Sequence, residues 1–272
     1  MSAATLVLSP LEAEWVALAR DHAVPAILGM ARIGACFAWI PYLSPGVMPA
    51  RMARSLVALM VVVGLWPSLQ PDTLASDLPQ DLLGLGAAAL GEALVGTAIG
   101  LVVALPFHIF HGLGAIVDTQ RGAGVGALLD PVSGVEATEM ANLIQLMSVM
   151  VFLASGGLVH LLEVLQASYA LVPLGSAPSL QLEPLQAHAG RILAGAVRMA
   201  LPVLLLLFLT EILLGLLSRF AQQMNAFSIS LAVKSLLAFL ALLVYLLPTV
   251  TGEVPTLRDS LDPLQLLAGA RA

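Results

Sequence analysis

The chain has 272 residues, of which 59% are hydrophobic and only 10% charged, with a formal net charge of −6. Its mean hydropathy is +0.97. This composition excludes an ordinary soluble domain and argues for a polytopic membrane protein, or a subunit buried in a very hydrophobic assembly. The acidic balance supplies no basic footprint, so nucleic acid is not expected as a partner.

Residues 1–22 read as an amphipathic lead. Leu11, Trp15, Leu18 and His22 share a helical face, and Ser9-Pro10 marks a helix start. Met1–Arg20 carries Glu12 and Glu14 and lacks a basic region before an apolar core, so no cleavable signal is expected. The first apolar segment, Ala23–Leu43, is long enough to cross a hydrocarbon core of ~30 Å. It is bracketed by Pro25 and Pro41 and carries Arg32, which must find a carboxylate, a carbonyl or water. Cys36, the single cysteine, can form no internal disulfide and reads as a small buried hydrophobe.

A turn with Arg51 and Arg54 leads into the second segment, Ser55–Leu69, which stops at Trp66-Pro67. The linker Gln70–Asp81 carries three aspartates and reads as a solvated loop. The third segment, Leu82–Val117, is too long for one simple crossing. It embeds Glu92, then a Gly96–Gly100 GxxxG pattern that permits close helix approach, then Pro106, where a kink is expected. His108 and His111 share a face but are too few for a metal site.

The fourth segment, Met140–Tyr169, has a weak point at Ser155-Gly156-Gly157, and Val172–Pro184 is a loop. The fifth, Ile192–Leu217, holds Arg198, Pro202 and Glu211. The sixth, Ile229–Leu247, holds Lys234 and ends at Pro248. From Thr249 onward the chain reads as a polar, loosely ordered tail. Long Leu/Ala runs without alternation exclude strands, so the fold class is all-α. The basic residues fall about equally on both sides of a six-span bundle, so charge does not assign topology.

Two polar constellations interrupt this apolar chain. The central stretch Gly112–Asn142 holds Asp118, Arg121, Asp130, Glu136 and Glu139. Asp118 and Arg121 are three apart and can pair on one helical face. Gly122, Gly124 and Gly126 alternate with small apolar residues before Asp130-Pro131. Such a stretch can pack tightly yet deform, as a gate does; a surface loop with a local ion pair is the alternative. In the second constellation, Glu211, Gly215 and Arg219 share a face, followed by Gln222, Gln223, Asn225 and Lys234. No phosphate-binding lysine loop, GxSxG or HExxH occurs. Residues alone leave three readings open. They are an assembly subunit, a secondary transporter using Arg32, Glu92, Arg121 and Glu211 as intramembrane substrate or proton groups, and a membrane enzyme using His108, His111 and Asp118.

The order and spacing of several short motifs go further. They are Arg32-Ile-Gly34 with Pro41; Gly114-Ala-Ile-Val-Asp118-Thr-Gln120-Arg121-Gly122; Asp130-Pro131 with Glu136 and Asn142; Glu211 with Gly215-Leu-Leu-Ser-Arg219; Gln223-Met-Asn225-Ala-Phe227; and Lys234-Ser235. Together they resemble the T component of the type III secretion export apparatus, the SpaR/YscT/HrcT group related to flagellar FliR, over about residues 20–250. Ala221 departs from the group, which has a proline there.

The resemblance implies a single export-apparatus membrane domain over 1–272, with 251–272 as a polar C-terminal tail. It implies a multi-pass protein of the bacterial inner membrane, built of Pro/Gly-broken helical hairpins that assemble with the R and S components into a helical export gate. The U and V components and the export ATPase act with it indirectly, unfolded secreted polypeptides pass through it, and membrane lipid surrounds it. It implies no catalysis, cofactor or metal. Asp118, Gln120, Arg121, Gly122, Gly124, Asp130 and Pro131 become channel, gate or packing candidates. Glu211, Gly215, Arg219, Asn225, Phe227 and Lys234 become hairpin and inter-subunit candidates.

Overall fold

In hydrocarbon a backbone N–H or C=O has no water to turn to, so long apolar runs close their hydrogen bonds within a helix. The computed structural model describes residues 10–43, 51–69, 82–123, 139–176, 182–220, 226–260 and 263–266. Seven α-helices carry them: α1 (Pro10–Trp39), α2 (Arg51–Gly64), α3 (Leu82–Arg121), α4 (Glu139–Ala154), α5 (Gly157–Leu171), α6 (Leu182–Phe220) and α7 (Ala226–Ser260). Three short 3-10 turns, Pro41–Leu43, Trp66–Leu69 and Pro263–Leu266, and a few connecting residues make up the rest, and no strand occurs among the described residues.

Four helices are long and apolar enough to cross a membrane, through His22–Trp39, Leu83–Arg121, Leu193–Phe220 and Ile229–Leu246; α4 and α5 make a fifth if the bent pair is one span. Three expectations change. The lead and the first segment are one 30-residue helix, because Pro25 lies inside α1 without ending it. The second segment is not a crossing: α2 has 14 residues, about 21 Å at 1.5 Å per residue, short of a ~30 Å core. The tail is not loose up to Ser260, since α7 runs through Pro248 and Pro255.

Within that last stretch the Thr249 hydroxyl donates to the Tyr245 carbonyl (2.7 Å) and the Thr256 hydroxyl to the Glu253 carbonyl (2.8 Å). Arg258 then donates to the Ser155 carbonyl. The break expected at Ser155-Gly156-Gly157 is present. Gly156 has φ +82°, which a Cβ disfavours, and α4 and α5 are bent by 73° there.

The chain packs as two compact units. One comprises Met1–Val102, Val159–Leu182 and Pro263–Ala272, the other Val103–Leu158 and Glu183–Asp262. In the first, α1 packs on α2 and on the opening half of α3. A Cβ on Gly96 would collide with the Arg32 carbonyl, and one on Gly100 with the Cys36 backbone, so the GxxxG pattern lets α3 press directly on α1. In the second, α4 packs on α7. There Phe107 of α3 meets Phe152 of α4 edge-on, with ring centroids 5.1 Å apart.

Candidate gate and packing site

Helix α3 ends where glycine allows it to. Gly122 has φ +83°; its N–H bonds the Thr119 carbonyl (3.1 Å) and the Ala123 N–H bonds the Asp118 carbonyl (3.0 Å). This puts Asp118 and Arg121 on the final turn, and they pair as their spacing implies. Arg121 Nε and Nη2 both reach Asp118 Oδ1, at 2.8 and 2.7 Å.

The other carboxylate oxygen does something the spacing does not announce. Asp118 Oδ2 accepts the backbone N–H groups of Met140 (3.1 Å) and Ala141 (3.2 Å), in the first turn of α4. Those amides lack partners within their own helix, and the helix N-terminus carries partial positive charge, so a carboxylate is the favoured cap. Gly114 makes the approach possible: a Cβ there would strike the Ala141 backbone. Asp118 is 2% exposed. Its charge is met by a guanidinium on one side and a helix terminus on the other, so the end of α3 and the start of α4 meet at one carboxylate.

The second constellation joins the first. Gln120 Nε2 donates to Glu211 Oε2 over a long 3.4 Å, and Lys234 Nζ lies 3.1 Å from Glu211 Oε1. The Glu211 side chain is 54% exposed and that of Lys234 only 9%. Glu211 therefore turns to Lys234 on α7 and Gln120 on α3. Arg219 shares its face of α6 but lies eight residues on, about 12 Å along the helix. Gly215 is exposed with open space where a Cβ would stand. Phe227 lies in the first turn of α7. Gly124, Asp130, Pro131 and Asn225 lie outside the described residues.

Sequence reasoning left a third polar centre unassembled. In the first unit, Arg32 Nε donates to Glu92 Oε2 (2.6 Å), Nη1 to Ser168 Oγ (3.1 Å) and Nη2 to the Val172 carbonyl (2.9 Å). The guanidinium also lies 4.3 Å from the Tyr169 ring centroid. Glu92 Oε1 accepts the Gly175 N–H (2.8 Å). Arg32 is 0% and Glu92 1% exposed. The signal was there in outline: a lone arginine in one apolar run, a lone glutamate in another, and small residues one turn beyond the glutamate.

Elsewhere in the second unit an apolar groove of about 230 Å³ runs along α4 and α7, lined by Met140, Leu143, Met147, Phe239, Leu242, Leu243 and Leu246. It offers no polar group to orient a solute. His108 and His111 sit on α3, and His111 is two turns before Asp118; Asp118 is engaged as described above. Among the described residues no three His, Cys, Asp or Glu side chains converge as a metal site would require.

Known proteins carry the same arrangement of sequence. The model of bacterial export proteins, family 1, matches residues 23–255. The chain is 38% identical over 230 residues to the Surface presentation of antigens protein SpaR of Salmonella typhimurium, spanning 84% of this chain and 85% of that protein. It is 40% identical over 207 residues to SpaR of Shigella flexneri, spanning 76% and 79%. With the Flagellar biosynthetic protein FliR of Escherichia coli the identity is 28% over 200 residues, spanning 73% and 75%. The chain belongs to the bacterial export proteins of family 1, as a type III secretion T component related to FliR and a multi-pass α-helical protein of the inner membrane.

Proposed function

We propose that this protein is a core structural and gating subunit of the type III secretion export apparatus, one membrane domain that forms part of the channel for unfolded polypeptides with the R and S components. The U and V components and the export ATPase act on the same assembly, and the subunit itself performs no catalysis.

One observation carries the reading. The span Leu193–Phe220 of α6 is only 22% buried and so is Ile229–Leu246 of α7, whereas Leu83–Arg121 of α3 is 67% buried. These two long apolar helices thus bury few of their residues within the chain, and they meet at the Gln120–Glu211–Lys234 junction. Broad apolar faces with a polar joint suit docking against sister helices better than enclosure of a private pocket. The Asp118 clamp supports a role for the central stretch in closing or lining the conduit. Asp118, Gln120, Arg121 and Gly122 hold its base, and Gly124, Asp130 and Pro131 belong to the segment it holds. Glu211, Gly215, Arg219, Asn225, Phe227 and Lys234 mark the α6–α7 hairpin as the inter-subunit element.

The transporter reading loses support from the same geometry. Arg32 and Glu92 are sealed against each other and against backbone groups, and Glu211 is engaged by Lys234. The test is affinity purification of the tagged full chain from membranes that also express the R and S components. Stable co-purification of both, with loss of secretion when the chain is deleted, is the expected result. A well-behaved monomer that binds a small solute, with secretion intact without it, would overturn the reading.

A further inference from the structure

The lock around Arg32 uses charges that the export reading does not need. Arg32 is the one charged residue of the candidate span His22–Trp39, and it stands near the middle. That span has the lowest mean hydropathy of the four. An unpaired arginine at the centre of a span is among the most unfavourable residues a helix can carry into a bilayer. Helix α1 taken alone is therefore a poor membrane span.

The groups that hold that guanidinium come from distant parts of the chain. Glu92 lies 60 residues later on α3, Ser168 136 residues later on α5, and the Val172 carbonyl 140 residues later in the turn after α5. Tyr169 adds its ring face, and its hydroxyl donates to the Gly29 carbonyl (3.4 Å). Glu92 in turn holds the turn by its Gly175 N–H. Gly96 lets the α1 backbone come close enough for the pair to form. A buried ion pair gives little net stability over apolar residues of like size, but it penalises heavily any state in which one member is missing.

We propose that α1 is a conditional span, held in the membrane only once α3 and the turn Val172–Gly175 have closed on Arg32, with Glu92 as the residue that positions it. A chain truncated or misfolded before residue 175 would leave Arg32 without these partners and α1 unsettled. The lock is thus a built-in check that the first unit is complete before it assembles. The inference rests on α1 lying in the bilayer and not on the gating role of the central stretch.

The test reads the place of α1 directly. In a Cys36→Ala background, Gly34→Cys puts a thiol on an exposed, open position of α1. The full chain is translated into inner-membrane vesicles, which are opened and treated with a water-soluble maleimide, so that degradation in cells does not remove weak variants. Protection of the thiol is expected in the parent. Glu92→Leu is expected to raise the labelled-to-protected ratio at least ~10-fold, and adding Arg32→Leu to Glu92→Leu is expected to restore protection. Equal protection in the parent and Glu92→Leu would overturn the proposal, as would labelling in the parent or failure of the double variant to recover.

Discussion

The carboxylate of Asp118 accepts the backbone N–H of Met140 at 3.1 Å, across 22 residues of sequence. One side chain in the last turn of a 40-residue helix thus caps the start of the next. The tie works because a helix N-terminus offers amides that its own turns cannot use, and because Arg121 balances the charge from the opposite side.

Asp118→Ala should cost about 2–4 kcal/mol, since it strands two buried amides and a part-buried guanidinium. Asp118→Asn should cost less, because the side-chain oxygen can still cap α4 while the ion pair is lost. Arg121→Ala should fall below Asp118→Ala, because the caps to Met140 and Ala141 survive it. Thermal unfolding of the purified complex, alongside secretion of a reporter substrate, checks the order. An Arg121→Ala complex weaker than Asp118→Ala would show that the caps are incidental.

The Glu211–Lys234 pair should respond asymmetrically. Glu211→Leu leaves a nearly buried ammonium unpaired, whereas Lys234→Leu leaves a half-exposed carboxylate that water or a partner can solvate. The glutamate variant should therefore lose more, by roughly 1–2 kcal/mol, and the double variant should recover part of the loss. Equal losses, or a larger one for Lys234→Leu, would count against the pair as placed here.

Gly96→Ala should destabilise by about 1–3 kcal/mol, because its Cβ meets the Arg32 carbonyl and neither backbone can yield freely. Gly34→Ala, facing open space on α1, should be neutral or gain up to ~1 kcal/mol from helix propensity. Melting temperatures of the two variants side by side decide whether the GxxxG contact is specific to the face turned toward α1.

Gly156→Ala forces a Cβ into a left-handed conformation at the α4–α5 break and should cost about 1–2 kcal/mol. Protease accessibility around residues 154–158 should rise with it. An unchanged melting temperature would mean that the break survives with other dihedrals.

What the sequence by itself determined is local. It shows that the chain is helical and apolar, that Ser155-Gly156 breaks a helix, that Asp118 and Arg121 pair across one turn, and that Gly96 and Gly100 mark a close helix approach. Each follows from spacings of a few residues, which a helix converts directly into proximity. The prolines misled for a related reason. A proline removes one hydrogen bond, which reads as a stop, but the rest of a long helix can bear that loss, and α7 runs through Pro248 and Pro255 to Ser260. Only the tertiary structure decided that Arg32 belongs to Glu92, that Asp118 caps α4, and that Gln120 and Lys234 meet at Glu211. Those partners lie 22 to 91 residues apart. Their meeting depends on which helix faces pack, and in a chain whose helices are apolar nearly all round, no pattern along one helix tells which face that will be.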